Sequence, residues 1–501
     1  FASRASVGFG TNLRKDLYAH INTFSYSELD KFSTTSLITR LTADVNQCQQ
    51  GVAMFIRLVL RAPFIAVGAI VMAMIIDLKL SLIFFGAALV IAAALAVIML
   101  LTMPKYKGVQ AKLDDVTRLT KENLAGARVI RAFDAQDREK QIFDKASDSL
   151  ATSSIKVGRL SALLNPLTYS VLNIAIIVLL YFGGKNVYYG NLTQGEIIAL
   201  VNYMTQILNA LVVFANLLVT FTKASASASR INEVFAVTSS MQEGSGAIAD
   251  PQAPAIELDN VTFTYQGSPA PALENVNVTI EKGASVGILG GTGSGKTTLV
   301  SLMTRLYDAT SGEVKVFGEN VKNYTNSQLY SLFGVAPQKA VLFEGTVRDN
   351  LKWGKENATD EEIDRALKIS QSAEFVYSMK DGLDTKISQG GKNLSGGQRQ
   401  RLTIARALVA CPDILVLDDS SSALDFATDA KLRKALASMR LEDGLTTVTV
   451  SQRATSIKYC DLIIVLDDGK IVGQGTHDEL IKSCDVYREI CLSQVKGDEE
   501  K

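Results

Sequence analysis

The sequence predicts a multi-domain protein in which an all-α polytopic membrane domain precedes an α/β domain with a phosphate-binding loop. Three observations predict this fold class. Mean hydropathy is positive, +0.17, although 20% of the 501 residues are charged. Long uncharged apolar runs are concentrated in the first half of the chain. In the second half, strand-like stretches alternate with helical patterns, which is typical of layered α/β domains.

Four membrane spans are predicted in the first half. Three apolar runs carry no charged residue, and each is long enough to cross about 30 Å of hydrocarbon. A fourth run is shorter and becomes a span when it is extended back past Arg61 and Arg57, which then lie near the membrane interface. The predicted spans are residues 54–76, 80–103, 160–184 and 197–222.

The distribution of basic residues predicts the orientation in the membrane. The long connection 104–159 is rich in Lys and Arg, whereas the opposite connections, 77–79 and 185–196, are short and nearly balanced in charge. The positive-inside rule therefore places the long connection and the soluble half in the cytoplasm. We expect a multi-pass protein of the plasma membrane that contacts membrane lipid.

Three parts follow from this pattern. Residues 1–235 form the membrane domain, and residues 256–501 form the soluble domain. Between them, residues 236–255 lack periodicity and are rich in Ser, Gly, Ala and Pro, which predicts a linker. Within the soluble domain, residues 359–379 are predicted to be helical and to begin with a capping box. The predicted strands are 255–258, 285–289, 414–417, 446–450 and 462–466.

Charge and cysteine content exclude some function classes. The formal net charge is zero and the pI is about 6.9, so no basic surface argues for a nucleic-acid partner. Five cysteines, an odd number, fit a reducing compartment.

A glycine-rich loop in the second half has the composition of a phosphate site. It follows an apolar strand and leads into a helix, so its backbone N–H groups can surround phosphate oxygens, Lys296 can supply a positive charge and Thr297 can offer a hydroxyl to Mg²⁺. Asp418, at the end of another apolar strand, can reach the same metal. The predicted loop residues are Gly290, Gly291, Thr292, Gly293, Ser294, Gly295, Lys296, Thr297 and Thr298.

The stretch 393–401, NLSGGQRQR, together with this loop resembles the nucleotide-binding domain of ATP-binding cassette (ABC) transporters over residues 256–490. The resemblance implies an α/β P-loop NTPase cassette with a helical subdomain, and ATP and Mg²⁺ as cofactors. It also implies ATP sites shared between two subunits. The signature residues that then contact the ATP of the opposite subunit are Ser395, Gly396, Gly397 and Gln398.

Further positions match the family's motifs. Tyr265 fits the aromatic that stacks on adenine, and Gln338 fits the glutamine that contacts Mg²⁺; residues 422–425 fit the loop that crosses to the partner. The resemblance therefore implies Thr297, Gln338 and Asp418 around the metal. Taken singly, Tyr265 is equally well a strand-face aromatic and Gln338 a solvated loop residue.

The membrane half also resembles an ABC exporter. Residues 32–45 and 122–133 are similar to the cytosolic loops whose short coupling helices contact the nucleotide-binding domains. That family has six spans per half and four are predicted here, so we expect the sequence to lack its first one to two helices, with Phe1 near the end of the second.

Two positions depart from the family pattern. The family has a Glu after its strand-end Asp, where this chain has Asp419, and a switch His where this chain has Gln452. The shorter Asp419 is expected to be a poor base, and Gln452 cannot become a cation. We therefore expect a site in which Lys296 and the loop bind ATP and in which hydrolysis is slow.

The intact signature suggests a partner. A chain with an impaired base and switch but a good signature is expected beside a second, non-identical half-transporter, as in bacterial heterodimeric multidrug exporters. Two alternatives remain open: a homodimeric lipid or peptide exporter, and a non-transporting ATP-binding regulatory subunit.

Four amides lie within about 80° of one another on the last span, at 100° per residue. They are Asn202, Gln206, Asn209 and Asn216. Either they line a substrate cavity or they bond to neighbouring helices. Since this span carries no charge, a hydrophobic or amphiphilic substrate is expected.

Overall fold

The computed structural model describes residues 1–59, 61–420 and 422–499. The chain forms two compact units. The first contains Phe1–Asn22 and Thr35–Ala236, and the second contains Thr23–Thr34 and Val237–Lys501. We call the second unit the cassette. The fold class predicted from the sequence, a helical membrane domain followed by an α/β domain, is confirmed.

The first unit is helical. Two short π-helical stretches, Arg40–Asp44 and Phe55–Val59, interrupt the helices near the predicted first span. The α-helices from the start of the chain are α1 Ala2–Ile21, α2 Tyr26–Phe32, α3 Thr34–Thr39, α4 Val45–Met54, α5 Arg61–Ile76, α6 Leu78–Ala125, α7 Ala127–Ala132, α8 Gln136–Ala162, α9 Leu164–Tyr188 and α10 Gln194–Phe235.

Within the described residues, three helical stretches are long and apolar enough to cross a membrane, and each contains a predicted span. They are Thr34–Ile76, Leu78–Ala125 and Gln136–Tyr188. The predicted span 197–222 lies in α10. Several of its side chains, including that of Asn216, lie outside the described residues, whereas Asn202, Gln206 and Asn209 are exposed.

Apolar residues at helical spacing hold the first unit together. On α6, buried Leu80, Phe84, Ile91 and Leu95 lie on one face, where they pack in a cluster with residues of α9 and α10 such as Leu179. The carboxylate of Asp77 caps α6 by accepting from two backbone N–H groups, which satisfies donors that the first turn leaves free.

Helices α4 and α10 pack closely at their cytosolic ends. A Cβ placed on Gly51 would lie 2.5 Å from the Ala224 Cβ, so this crossing requires glycine. Asp44, which is 4% exposed, accepts from the Arg230 guanidinium at 2.5 and 3.0 Å and from the Ser227 hydroxyl at 2.9 Å. The buried carboxylate therefore has charged and polar partners on α10.

The cassette is a layered α/β unit. Its described strands form a six-stranded sheet in the order β12-β11-β3-β10-β9-β6, a four-stranded sheet in the order β2-β1-β4-β5, and a two-stranded β7-β8 ribbon. The strands are β1 Ile256–Phe263, β2 Leu273–Ile280, β3 Ser285–Gly290, β4 Ser311–Val316, β5 Glu319–Asn320, β6 Phe333–Ala336, β7 Gly345–Thr346, β8 Lys386–Ile387, β9 Ile414–Asp418, β10 Thr446–Val450, β11 Leu462–Asp467 and β12 Lys470–Gly475.

Helices cover the six-stranded sheet and form a helical region between β6 and β9. Residues of the strand interiors are buried; all five of β9 are, as expected for parallel strands covered on both faces. The helices are α11 Lys296–Met303, α12 Asn326–Leu332, α13 Val347–Lys352, α14 Asp360–Ile369, α15 Ala373–Ser378, α16 Gly396–Val409, α17 Phe426–Asp443, α18 Ala454–Ile457, α19 His477–Ser483 and α20 Asp485–Glu499, with 3₁₀ turns at Gly382–Asp384 and Gln389–Gly391.

The helix predicted over residues 359–379 is two helices, α14 and α15. The break lies at Gln371, whose φ is +58°, in the left-handed region that ends helices. The hydroxyls of Ser370 and Ser372 are buried and hydrogen-bonded to each other at 2.9 Å. The prediction of one continuous helix was wrong because these serines stabilise a turn.

The short helix α2 belongs to the cassette unit, which differs from the predicted division at residue 235. Glu28 is 6% exposed; its carboxylate accepts from Ser25 N at 2.9 Å and from Ser240 N at 3.2 Å. The Tyr307 hydroxyl donates to Asp30 at 2.6 Å. The predicted coupling loop 32–45 begins at Phe32, the last residue of α2, and its coupling role stays a prediction.

Candidate nucleotide site

The parallel strands place the predicted site residues at one edge of the sheet. Strands β3, β10, β9 and β6 are parallel neighbours, so their carboxyl ends lie together, where ligands bind in open α/β sheets. The glycine-rich loop follows β3, Gln338 follows β6, Asp419 follows β9 and Gln452 follows β10.

The loop after β3 has the backbone that its glycines predict. Gly293 has φ +85° and Gly295 has φ +98°, which glycine adopts without steric cost. A Cβ on Gly290 would lie 2.3 Å from the Leu466 carbonyl oxygen. The loop therefore turns tightly into α11, whose first-turn N–H groups can face an anion.

The Lys296 ammonium lies against this loop. Its Nζ donates to the carbonyl oxygens of Gly290 at 2.9 Å and Gly291 at 2.5 Å. Burial lowers the pKa of Lys296, while the carboxylates of Asp419 and Asp418 oppose that shift. A phosphate at the loop would supply further negative charge to this cation.

Asp418 has the features of a metal ligand. It is 5% exposed, it accepts from the Thr297 hydroxyl, and its buried Oδ1 has no hydrogen-bond partner. Burial raises the pKa of Asp418, and the neighbouring Asp419 raises it further. Such a carboxylate and hydroxyl fit Mg²⁺, which prefers oxygen ligands and binds through a few protein groups and substrate phosphates.

The described residues contain no group of three His, Cys, Asp or Glu side chains that could hold a metal ion. Mg²⁺ at this site would therefore depend on phosphate oxygens, with Asp418, Thr297 and Gln338 as the protein side chains that approach it.

Asp419 adopts a constrained backbone. Its φ is +45°, a conformation that a short polar side chain such as Asp tolerates better than most residues. Its N–H donates to the Val450 carbonyl at 3.0 Å. Its carboxylate accepts from Gln338, and burial raises its pKa.

A cavity of about 310 Å³ lies between these groups. It brings together most of the residues predicted from the sequence, and it adds Ala272 and Val450, whose apolar side chains carried no motif signal. The lining residues are Tyr265, Ala272, Thr292, Gly293, Gly295, Lys296, Thr297, Thr298, Gln338, Asp418, Asp419, Val450 and Gln452.

Tyr265 forms one wall of the cavity. Its hydroxyl lies 2.9 Å from the Thr298 hydroxyl, and its ring packs edge-on against Phe263 and Tyr307. The aromatic group is therefore fixed beside the loop, where it can pack against a flat ligand ring.

The signature residues are not among those that line this cavity. Ser395 caps α16: its hydroxyl accepts from Gln398 N at 3.2 Å, and its own N–H donates to Gln398 Oε1 at 2.9 Å. Gly396 is exposed and Gly397 is half-buried. A helix start with small residues and backbone N–H groups is able to bind an anion, and this one lies apart from the cavity lined by Lys296.

Gln494 contacts the loop after β10, residues 451–454, which contains Gln452 and which we call the switch loop. The sequence analysis did not predict this contact. Its side-chain amide donates to the Gln452 carbonyl at 2.8 Å and accepts from Ala454 N at 2.9 Å. The sequence signal that could have found this residue is helical spacing. Tyr487 is buried and Ile490 and Cys491 are partly buried, and Gln494 follows them at the spacing that places it on the same helix face.

Two family models match the chain. The ABC transporter transmembrane region matches residues 1–211, and the ABC transporter model matches residues 273–422, which include the loop, the signature and Asp419.

The chain belongs to the ABC transporter family.

Similar proteins agree with this assignment. An uncharacterized ABC transporter ATP-binding protein of Mycobacterium tuberculosis is 38% identical over 505 residues, which cover 98% of this chain and 85% of that one. An ATP-dependent lipid A-core flippase of Vibrio parahaemolyticus is 30% identical over 479 residues, which cover 95% and 82%. The structure of a bacterial Atm1-family ABC exporter with ATP bound has the same fold, with a TM-score of 0.81 and 23% identity, over 98% of this chain and 86% of that one.

The resemblance drawn from the sequence is therefore confirmed at the level of family and fold. The chain is a half-exporter, with one transmembrane region joined to one ATP-binding domain. It is of the ATPase and translocase class, and it is a membrane protein whose nucleotide-binding domain is cytoplasmic.

Proposed function

We propose that this ABC half-exporter works as the degenerate-site subunit of a heterodimer that exports hydrophobic or amphiphilic small molecules. In this proposal its own site holds ATP with Mg²⁺ and hydrolyses it slowly, while its signature completes the partner's site. The observation that carries the proposal is the presence of both Asp419 and Gln452 in one cavity with a complete phosphate loop.

The short side chain of Asp419 supports slow hydrolysis. Losing one methylene relative to Glu withdraws the carboxylate by about 1.3 Å, and misplacements of about 1 Å can cost on the order of 10²-fold in rate. The raised pKa of Asp419 makes the group more basic, but basicity does not restore reach. Its left-handed backbone favours the short side chain.

Gln452 supports the same conclusion. Its amide can donate one hydrogen bond to a phosphate oxygen but cannot supply a cation as charge develops. When it is bound, Mg²⁺ neutralises phosphate charge beside Asp418 and Thr297. The chain's own residues therefore favour binding over turnover.

The first experiment restores the missing groups. Asp419→Glu with Gln452→His is expected to raise ATP turnover at this chain's site by about 10²-fold, because both reach and positive charge return. Turnover would be measured in the purified pair after the partner's own strand-end Glu is changed to Gln.

Asp419→Asn with Gln452→His is the matched control, because Asn tolerates the same backbone and cannot act as a base. It should leave turnover at the background level. Unchanged turnover in the Glu and His variant, with ATP binding intact, would contradict the proposal.

A second candidate is a homodimeric lipid exporter. It is favoured by 29–31% identity to lipid A-core flippases over 95% of the chain. Dye and fluorescent-lipid transport into inside-out vesicles separates the two candidates. Export that requires a co-expressed second half-transporter favours the heterodimer, lipid export by this chain alone favours the homodimer, and ATP binding without any export indicates a regulatory subunit.

A further inference from the structure

Helix α20 contacts the switch loop through Gln494. On α20, Tyr487 is fully buried, and Ile490 and Cys491 pack against the same apolar cluster, which includes Leu289 of β3. Gln494 is the next residue on this face, since offsets of three, four and seven residues share one side of a helix. The Gln494 side chain therefore lies on the face of α20 that packs against the cassette.

The Gln494 amide spans the switch loop. Its Nε2 donates to the Gln452 carbonyl at 2.8 Å, and its Oε1 accepts from the Ala454 N–H at 2.9 Å. One side chain thus forms hydrogen bonds with the backbone on both sides of Arg453. These backbone groups follow β10, and the amide of Gln494 takes the place that a neighbouring strand would have.

A second contact holds the other end of the loop. The Ser451 N–H donates to the Ile288 carbonyl at 3.0 Å, and the Ser451 hydroxyl accepts from Arg453 N at 2.9 Å. Gln452 therefore lies between a residue fixed to the sheet and an amide fixed to α20. Its side chain reaches the 310 Å³ cavity from this fixed backbone.

We propose that Gln494 is a positioning residue for the nucleotide site: by holding the Gln452 backbone, it sets where the Gln452 amide meets the terminal phosphate of ATP. This inference rests on the proposed role of Gln452. Because ADP lacks that phosphate, the effect of Gln494 is specific to ATP. Through this contact the last helix influences the γ-phosphate end of the site without touching nucleotide.

The test compares ATP with ADP on the full transporter. The chain and its partner are purified together and labelled with 8-azido-ATP or 8-azido-ADP, and the label on this chain is read after the two chains are separated on a gel. Gln494→Ala is expected to raise the concentration for half-maximal 8-azido-ATP labelling by about tenfold, the order expected for losing two neutral hydrogen bonds. The value for 8-azido-ADP should stay within about twofold.

Two further variants distinguish positioning from general stability. Ser493→Ala, on the exposed face of the same helix, should change neither value. In a Gln452→Ala background, Gln494→Ala should add no further loss, because the group that it positions is gone.

Equal weakening of both nucleotides, no weakening of either, or full additivity with Gln452→Ala would overturn the inference. If Gln452→Ala itself fails to discriminate ATP from ADP, the proposed phosphate contact of Gln452 fails, and the inference falls with it. If only Gln452→Ala discriminates, the proposed function stands and the role of Gln494 is rejected.

Discussion

At the scale of single residues, the site holds two neighbouring buried carboxylates beside the Lys296 ammonium. Asp418 and Asp419 are adjacent, burial raises the pKa of both, and the Oδ1 of Asp418 is buried without a hydrogen-bond partner. Ionised carboxylates in such surroundings cost stability until a cation joins them. The two carboxylates thus favour cation binding and lower the stability of the nucleotide-free protein.

We predict that Asp418→Asn raises the unfolding temperature of the nucleotide-free chain by about 2–4 °C at pH 7.5. The direction of the change follows from the raised pKa of Asp418. The contribution of this carboxyl to the free energy of unfolding is most favourable below the ordinary carboxyl pKa of about 3.9 and is lost as pH rises through the raised pKa. The gain should therefore shrink as pH falls toward 4.

Thermal unfolding of the purified chain, with and without ATP and Mg²⁺, checks this. The variant should lose most of the stabilisation that Mg²⁺ adds in the presence of ATP. Asp381→Asn, at an exposed position, is the matched control. It should change neither the unfolding temperature of the nucleotide-free chain nor the stabilisation by Mg²⁺ with ATP. A lower unfolding temperature for the nucleotide-free Asp418→Asn protein would contradict the argument.

Single residues were predictable where a motif fixes their spacing. The phosphate loop and Asp418 were found because glycines, Lys and a strand-end acid occur in a recognisable order. The Tyr265 contact with Thr298 and the Gln494 contact with Gln452 join residues that are 33 and 42 positions apart. No local pattern specifies such pairs, because tertiary packing brings them together.

At the scale of elements, helices α4 and α10 are held at one end by a buried carboxylate. Asp44 is 4% exposed, while the Arg230 side chain is 47% exposed. The π-helical stretch Arg40–Asp44 directly precedes α4, and such stretches place one residue out of the regular helical order. The pair thus fixes how the two helices cross.

We predict that Arg230→Ala destabilises the protein by about 1–2 kcal/mol, because the buried Asp44 carboxylate loses its guanidinium hydrogen bonds and keeps that of the Ser227 hydroxyl. The estimate is below that for a fully buried pair because Arg230 is partly solvated. Unfolding in detergent, followed by circular dichroism, measures the change.

Arg118→Ala is the matched control, since it removes a guanidinium from the exposed pairs with Asp115 and Glu122 and should cost less than about 0.5 kcal/mol. Asp44→Asn combined with Arg230→Ala should recover part of the loss. Equal losses from Arg118→Ala and Arg230→Ala would refute the assignment.

Elements were predictable where periodicity is long and uninterrupted. Predicted spans 80–103 and 160–184 lie in long apolar helices of the structure. The error over residues 359–379 arose because the serines at the break look compatible with a polar helix face. Helix α2 has seven residues, too few for periodicity to define it, and its contacts with the cassette come from residues far along the chain.

At the scale of the whole molecule, the start of α16 is exposed at Ser395 and Gly396, as the proposed sharing of ATP sites between subunits requires. Ser395 and Gln398 satisfy each other's backbone groups, so the helix start is ordered without a ligand. An ATP held by a partner would meet a preformed set of N–H groups, which lowers the entropic cost of closing the site.

We predict that Ser395→Arg lowers steady-state ATP hydrolysis by the assembled transporter about 10²-fold, because it would block a helix start that, in the proposed function, faces the ATP of the opposite subunit. Labelling of this chain by 8-azido-ATP should be unchanged. Ser438→Arg, at an exposed position of α17, is the control. Full activity of Ser395→Arg would show that this signature serves no catalytic site.

Because α2 lies in the cassette unit, the cytoplasmic domain is discontinuous in sequence, and its boundaries cannot be found by a single cut. A recombinant fragment beginning at Val237 would lack Asp30, which accepts a hydrogen bond from the Tyr307 hydroxyl. It would also lack Glu28, whose carboxylate accepts from the Ser240 N–H. Biochemists who isolate this domain would therefore do well to supply residues 23–34 as a tethered or separate peptide.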